Sequence, residues 1–316
     1  MMTDAKLEMF RNRLTKVLRH KSKTANKLGV TCYRLYDHDL PEFPFCIELY
    51  EEKVYIAEYE RKHKMIEEEH QDWLDASLHA VYDILRVSED DVYLKLRHRK
   101  KGRQGQYQKA NDEGNEFVVV ENGLKFLINL SDYLDTGLYL DHRITRQMVK
   151  DKGAGKKVLN LFAYTGSFSV YAAAGGASIV ETVDLSRTYL DWAQRNFLQN
   201  GFADKAKYSF VQADVKSYLS GLPTESFDLV IMDPPTFSNS KRTDDFLDIQ
   251  RDHVSLINEC LRILLPGGEL YFSTNYRKFI LDAEAIKTVV IKDITRTTTP
   301  FDFEGKYSRA CYYLKK

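Results

Sequence analysis

Two segments about seventy residues apart constrain the fold most. Residues 157–166 read K-K-V-L-N-L-F-A-Y-T-G from Lys156 onward, and residues 227–237 read F-D-L-V-I-M-D-P-P-T-F. Each is an apolar run of strand length that breaks into a turn of polar or conformationally special residues. Continuous apolar runs suit strands covered on both faces, as in a parallel sheet flanked by helices. In such sheets ligands lie outside the carboxyl ends of the strands. The sequence between and around the two runs keeps the same rhythm. Strands are expected near 157–163, 179–184, 208–213, 227–232 and 268–273, with helices at 187–200 and 244–265. Alternation at this spacing predicts an α/β, Rossmann-like, mostly parallel sheet with helices on both faces. V-V-I-K-D-I-T-R and A-C-Y-Y-L-K-K at the end predict two further strands on an antiparallel edge, which brings the sheet to seven.

The first part of the chain has another character. Residues 5–28 are helical in pattern, with Leu7, Phe10, Leu14, Val17 and Leu18 on one side and many lysines and arginines elsewhere, opposed by Asp4 and Glu8. That surface is either a solvated face or one that meets RNA. I-E-L-Y and K-V-Y-I-A-E-Y-E alternate like half-buried strands, followed by a helix at about 65–86 and a strand at 92–97. Asn122-Gly123 between two apolar runs predicts a hairpin. A smaller N-terminal α+β domain over 1–145, with an accessory or RNA-binding role, is therefore expected before an α/β domain over 146–316.

Composition narrows the function. Lys plus Arg and Asp plus Glu number 46 each, so a polyanion would have to be held by local patches. The four cysteines lack zinc spacing and suggest free thiols in a reducing compartment, and no metal site is expected. The N-terminus has no apolar leader and no stretch reaches membrane-spanning length, which suggests a soluble, cytoplasmic chain.

The turn after the first strand contains one glycine, Gly166. A dinucleotide site would require G-x-G-x-x-G, so a nicotinamide oxidoreductase is disfavoured. A single glycine suffices where the backbone approaches an amino-acid moiety and a sulfonium. Asn160, Phe162, Tyr164, Thr165, Gly166 and Ser167 make up this first group of candidates. Asp184 ends the second strand, where it could accept from ribose hydroxyls, with Leu185 and Ser186 after it. Asp214 ends the third, flanked by Ala213 and Val215, and could accept from an adenine amino group. Such acids also cap helices, but three at successive strand ends favour a nucleoside cofactor, S-adenosylmethionine.

At the fourth strand end, Asp233, Pro234, Pro235 and Phe237 are the candidate catalytic residues. The prolines fix φ and remove two donors; the carboxylate could take the amino edge of a base and Phe237 could stack on its face. C5-methylation of a pyrimidine needs a thiolate nucleophile, and neither D-P-P-T-F-S-N-S nor Y-F-S-T-N-Y-R-K holds a cysteine. Cys260 falls within a helix on an apolar stretch. Attack by a base nitrogen, catalysed by alignment, is therefore favoured. Arg97, Arg99, Lys100, Lys101, Arg103 and Lys109 form a basic run without one acid, suited to phosphates, and Lys241 and Arg242 follow the D-P-P turn.

Four stretches, S-D-Y-L-D-T-G-L-Y-L-D-H-R (131–143), L-N-L-F-A-Y-T-G-S (159–167), V-D-L-S-R-T-Y-L-D-W-A (183–193) and D-P-P-T-F-S-N-S-K-R (233–242), closely resemble the RlmK-type family of bacterial 23S ribosomal RNA guanine-N7 methyltransferases. In many bacteria that module is the C-terminal half of a fused protein. R-x-R-x-K-G-x-x-Q-Y-Q-K and R-D-H-V near 251 match as well, so the resemblance covers almost the whole chain. It implies a class I fold and a cofactor pocket of the Thr165-Gly166 loop, Asp184 and Asp214, with Asp233 and Pro234 between cofactor and guanine. It further implies that 131–143 folds over the cofactor, making Asp135, Thr136, Gly137, Asp141 and Arg143 candidate contacts. The related cytosine-C5 family of the RlmI type carries a cysteine where Ser273-Thr274-Asn275 stands here. Fused members also carry a guanine-N2 methyltransferase and a THUMP domain that this sequence lacks, so such an enzyme is an expected partner, alongside 23S rRNA or a ribosomal precursor. The alternatives are methylation at guanine N2, adenine N6 or cytosine C5, or a non-catalytic RNA-binding assembly factor.

Overall fold

The computed structural model describes residues 4–59, 66–97, 114–133, 135–238, 247–288, 290–305 and 309–316. The chain divides into two compact units, one of residues 1–123 and 128–136, the other of 124–127 and 137–316.

The first unit begins with helix α1 (Asp4–Leu28), followed by β1 (Cys32–Asp37), β2 (Phe45–Tyr50), β3 (Lys53–Tyr59), α2 (Glu67–Leu85) and β4 (Val92–Arg97). The four strands form one sheet in the order β1-β2-β3-β4; the first three are antiparallel and β4 joins β3 in parallel. Aromatic packing holds the helices on it: Phe10 stacks on Phe43 at 4.4 Å and Phe45 on Trp73 at 5.1 Å. Such pairs contribute about 1 kcal/mol each beyond their buried area.

The expectation of half-buried alternation in β2 and β3 is corrected here. Both strands are covered almost throughout, Glu48 and Glu58 included. Those carboxylates tolerate burial because they are paired. Glu48 accepts from Arg34 at 2.7 Å and from Tyr50 at 3.1 Å, and Glu58 lies 2.8 Å from His70.

Strands β5 (Glu116–Glu121) and β6 (Leu124–Asn129) form the expected hairpin. Asn122 and Gly123 have φ of 50° and 79°, the two consecutive positive values that a two-residue type I′ turn demands.

The second unit continues with α3 (Arg143–Lys152), β7 (Lys157–Leu161), α4 (Ser167–Ala174), β8 (Ile179–Asp184), α5 (Arg187–Gln199), β9 (Tyr208–Gln212), α6 (Val215–Gly221) and β10 (Phe227–Met232). Short strands β11 (Phe237–Ser238) and β12 (Leu247–Asp248) pair antiparallel ahead of α7 (Ile249–Ile263), β13 (Leu264–Thr274), β14 (Val290–Asp293) and β15 (Ala310–Lys315). The helix expected over 244–265 therefore starts at Ile249, where Asp248 caps it by accepting from Gln250 and Arg251 amides.

The main sheet is seven-stranded, in the order β14-β15-β13-β10-β7-β8-β9. Strands β13, β10, β7, β8 and β9 are parallel, and β15 and β14, each antiparallel to its neighbour, extend the sheet beyond β13. From β7 the chain proceeds outward through β8 and β9, then returns to place β10 on the other side of β7. That reversal is a topological switch point, and it leaves a crevice at the carboxyl ends of β7 and β10. Leu159, Leu161, Val230, Met232, Leu270 and Phe272 fill the core behind it.

Candidate active site at the strand tips

The turn leaving β7 is built under backbone constraint. Phe162, Tyr164 and Gly166 all have positive φ, at 54°, 51° and 72°. For Phe and Tyr this conformation is costly, and it persists only where surrounding contacts impose it. Those contacts are present. Ala163 N donates to Val183 O at 3.0 Å, Tyr164 N to the Asp184 carboxylate at 2.9 Å, and Gly166 N back to Ala163 O at 2.9 Å. Thr165 is fully buried; its hydroxyl donates to Gly137 O at 2.6 Å, and its carbonyl accepts from Asn196 Nδ2 at 2.9 Å. Gly166 is required twice over, by φ and because a Cβ there would stand 2.7 Å from Ala193 Cβ on α5. Ser167 then opens α4, and Asn160 behind the turn is buried with its amide donating to Ser169 at 2.9 Å.

Asp184 ends β8 with both carboxylate oxygens engaged once, from Tyr164 N and from Ser186 N at 2.8 Å. Burial pushes its pKa from 3.8 up to about 6, against the lowering effect of the Ser186, Tyr164 and Leu185 amides. A carboxylate has about four acceptor positions, so a half-buried Asp184 keeps acceptor capacity beyond its backbone donors. A vicinal ribose diol supplies two. This donor–acceptor balance fits the nucleoside cofactor inferred from the sequence. Ser186 caps α5, accepting from Tyr189 N at 3.4 Å, and half-buried Leu185 lies between.

Asp214 caps α6, with Oδ1 accepting from Ser217 N at 3.0 Å, so the capping role is real at this position. Ala213 N donates to Asp184 O at 3.2 Å, joining the tips of β8 and β9, while Val215 is buried beneath.

At the tip of β10, Asp233 accepts from the Ser273 hydroxyl at 2.6 Å through Oδ1, and its Oδ2 lies 3.3 Å from His142 Nε2. Burial raises its pKa, but His142, Ser273 and the charge of Arg309 outweigh that and hold it below the ordinary value. About a quarter of the side chain is exposed. Pro234 is buried and Pro235 half-buried. Thr236 donates to Asn275 Oδ1 at 2.5 Å, and Phe237 meets Tyr276 edge-on at 6.4 Å. The loop after β13 therefore braces the D-P-P turn.

The remaining candidates divide. Gly137 supplies the carbonyl that anchors Thr165. Asp141 accepts from Arg309 through its carbonyl at 2.8 Å and lies 3.4 Å from it through Oδ2. Arg143 is buried and pairs with Asp302 at 3.0 Å. Asp135 and Thr136 are buried in the first unit, where Thr136 and Tyr50 share a 2.7 Å hydroxyl contact. Arg97 ends β4. Arg99, Lys100, Lys101, Arg103, Lys109, Lys241 and Arg242 lie outside the described residues. Among the described residues no cluster could hold a metal ion, and no helix is long and apolar enough to cross a membrane.

Four further residues at the site were not among the sequence candidates. His142, Ser273 and Asn275 meet the D-P-P turn only through the fold. Asn196, fully buried on α5, ties Thr165 O to Leu127 N, the latter at 2.8 Å. Spacing on an amphipathic helix could have marked Asn196 as a polar residue facing inward.

All four cysteines are buried free thiols. Cys260 and Cys311 are fully covered, and burial raises the pKa of both thiols. The site thus contains no thiolate nucleophile.

Strand order, switch point and tip acids together define a Rossmann-like enzyme of the class I methyltransferase type. The fold is shared with solved structures. SMU.776, a candidate methyltransferase complexed with SAH, superposes with TM-score 0.72 at 23% identity over 97% of this chain and 82% of the other. A SAM-dependent methyltransferase from Agrobacterium tumefaciens gives 0.61 at 17%, over 90% and 89%. The chain belongs to the S-adenosylmethionine-dependent methyltransferase family, whose model matches residues 80–310. It is 47% identical, over 99% of its length and 88% of the relative, to ribosomal RNA large subunit methyltransferase K of Neisseria meningitidis serogroup B. It is 46% identical over 96% of its length to ribosomal RNA large subunit methyltransferase K/L of Pseudomonas fluorescens, of which it spans only 40%.

Proposed function

We propose that this enzyme methylates guanine N7 in bacterial 23S ribosomal RNA. The observation that carries the reading is the 47% identity, over nearly the whole chain, to a ribosomal RNA large subunit methyltransferase K. S-adenosylmethionine, when bound, supplies a methyl group on a sulfonium whose departure leaves a neutral thioether.

The residues suit a nitrogen nucleophile that carries no proton. The N7 lone pair forms the new N–C bond while the S–C pair stays with sulfur, and no proton is lost. A base is unnecessary, and Asp233, held ionised by His142 and Ser273, would be a weak one. Its negative charge instead opposes the positive charge that develops on the guanine, an electrostatic role for which a fixed carboxylate needs no reorganisation. Pro234 and Pro235 keep the turn rigid, and Phe237 offers a face for the base. Asp184 and the Thr165-Gly166 turn would hold the nucleoside, with Asp214 toward the adenine. A C5-methylation route needs a thiolate, and burial disfavours that form in Cys260 and Cys311.

On this reading the basic residues Arg97, Arg99, Lys100, Lys101, Arg103, Lys109, Lys241 and Arg242 contact rRNA, and the N-terminal unit serves RNA binding. A cytoplasmic location and a guanine-N2 methyltransferase partner complete the proposal; the K/L relatives, of which the chain spans about 40%, support such a partner. Mass spectrometry of 23S rRNA from a strain lacking the gene tests the proposal. Loss of one N7-methylguanine is expected. An unchanged complement of methylated bases, or loss of a methyl group from another atom, would overturn it.

A further inference from the structure

Helix α1 carries seven lysines and arginines between Met9 and Leu28 and no acid, in a chain whose formal charge sums to zero. The fold sorts these cations into two sets. Arg11 binds Asp83 at 2.7 Å, Arg13 binds Asp39 at 2.7 Å, and Lys21 donates to Arg34 O at 2.9 Å. Those three are partly covered. Lys16, Arg19, Lys23 and Lys27 are exposed, and none of them takes part in an ion pair or side-chain hydrogen bond among the described residues.

The second set is ordered in space. At about 100° per residue, the four fall within an arc of about 80°, and its middle lies about 160° from that of Phe10, Leu14, Val17 and Ala25, the buried face. At 1.5 Å per residue the row is about 16 Å long. Exposed His20 shares this face. An ordinary solvated helix face mixes signs at i, i+4 spacing, because like charges there are mutually destabilising. Here the like charges stand together with no acid to relieve them, and a row of phosphates provides that relief.

We infer that Lys16, Arg19, Lys23 and Lys27 form an RNA-backbone contact, additional to the basic run of sequence at 97–109, that grips successive phosphates along one strand. The inference rests on the proposed RNA substrate and adds to it a site on the N-terminal unit. Phosphate contacts of this kind fix register without reading bases. They explain how a chain of zero formal charge binds a polyanion: the positive field is local and one-sided.

The test is equilibrium binding of the full chain to deproteinised 23S rRNA at several salt concentrations. It compares wild type with the combined Lys16→Gln, Arg19→Gln, Lys23→Gln, Lys27→Gln variant. A control removes four exposed lysines from the other unit, Lys205→Gln, Lys207→Gln, Lys287→Gln and Lys292→Gln, for the same net charge. Losing four phosphate contacts should lower the slope of log affinity against log salt by about 3. Affinity near 0.1 M salt should fall more than tenfold, with binding of S-adenosylhomocysteine and circular dichroism unchanged. The control should change the slope by less than about 1. Equal slopes for the two variants would overturn the inference, as would competition by polyglutamate as strong as that by rRNA, which would assign the row to an acidic protein. If wild type methylates rRNA while the row proves inert, the inference fails alone; if wild type neither binds nor methylates rRNA, both fall.

Discussion

Asp184 gives the most discriminating prediction, because its burial sets two pH dependences of opposite sense. Burial raises its pKa from 3.8 to about 6 in the folded chain. The folded state therefore holds this proton more tightly than the unfolded state, and the ionised carboxylate costs stability above pH 6. As pH falls from about 6 to about 4 the cost disappears, and the apoprotein gains stability from this group. At about 1.4 kcal/mol per pH unit the gain is at most about 3 kcal/mol, and partial exposure of the side chain reduces it toward about 1. Asp233, Asp252 and Glu269 have lowered values and lose their stabilisation as pH falls through those lower values, which pushes the other way. Comparison of wild type with Asp184→Asn isolates the Asp184 contribution. The amide conflicts with one backbone donor, but that penalty is the same at every pH. Urea unfolding of both proteins from pH 4 to 8 should show the wild type less stable with rising pH relative to the variant. Cofactor binding should do the reverse. If only the ionised form accepts the ribose diol, wild-type affinity for S-adenosylhomocysteine rises about tenfold per pH unit up to pH 6 and then levels. In Asp184→Asn it should be weak and flat. Parallel pH curves for the two proteins, in unfolding or in titration calorimetry, would refute the assignment.

Three further outcomes follow from the same geometry. Gly166→Ala should reduce cofactor affinity at least tenfold and lower stability by about 1–3 kcal/mol, because φ is 72° and the new Cβ would crowd Ala193; native-like affinity and melting temperature would show that the turn is not under constraint. His142→Ala should lower kcat at unchanged cofactor affinity by releasing Asp233 Oδ2, with partial recovery in His142→Gln; equal losses in the two variants would indicate only a packing role for the imidazole. The double variant Cys260→Ser, Cys311→Ser should keep its methyl-transfer rate per folded molecule, since both thiols are fully buried and burial raises their pKa; a rate reduced a thousandfold would restore a covalent mechanism.

The parallel sheet was legible because continuous apolar strands and amphipathic helices differ in period, and the acids at 184, 214 and 233 were legible because they end those strands. What escaped was set by tertiary contact. Glu48 and Glu58 read as solvent-facing positions, yet Arg34 and His70 neutralise the cost of covering them. His142 and Ser273 stand about 90 and 40 positions from Asp233 in sequence, and nothing local to either marks a partner for its carboxylate. Asn196 sits among helix residues whose polarity looks like surface, until the turn carbonyl of Thr165 shows why an amide is buried there. For Asp214 the functional and capping readings are compatible, because one oxygen caps α6 while the other is not needed for that bond.

The central claim is that a methyl donor and a guanine meet at the tips of β7, β8 and β10. The most direct measurement is methyl transfer by the purified chain, from S-adenosylmethionine labelled in its methyl group to 23S rRNA taken from a strain lacking the gene, with the product nucleosides separated and weighed. Label in N7-methylguanine, abolished by Asp233→Ala, is the expected result. Label in N2-methylguanine, N6-methyladenine or C5-methylcytosine, or equal transfer by Asp233→Ala, would contradict it.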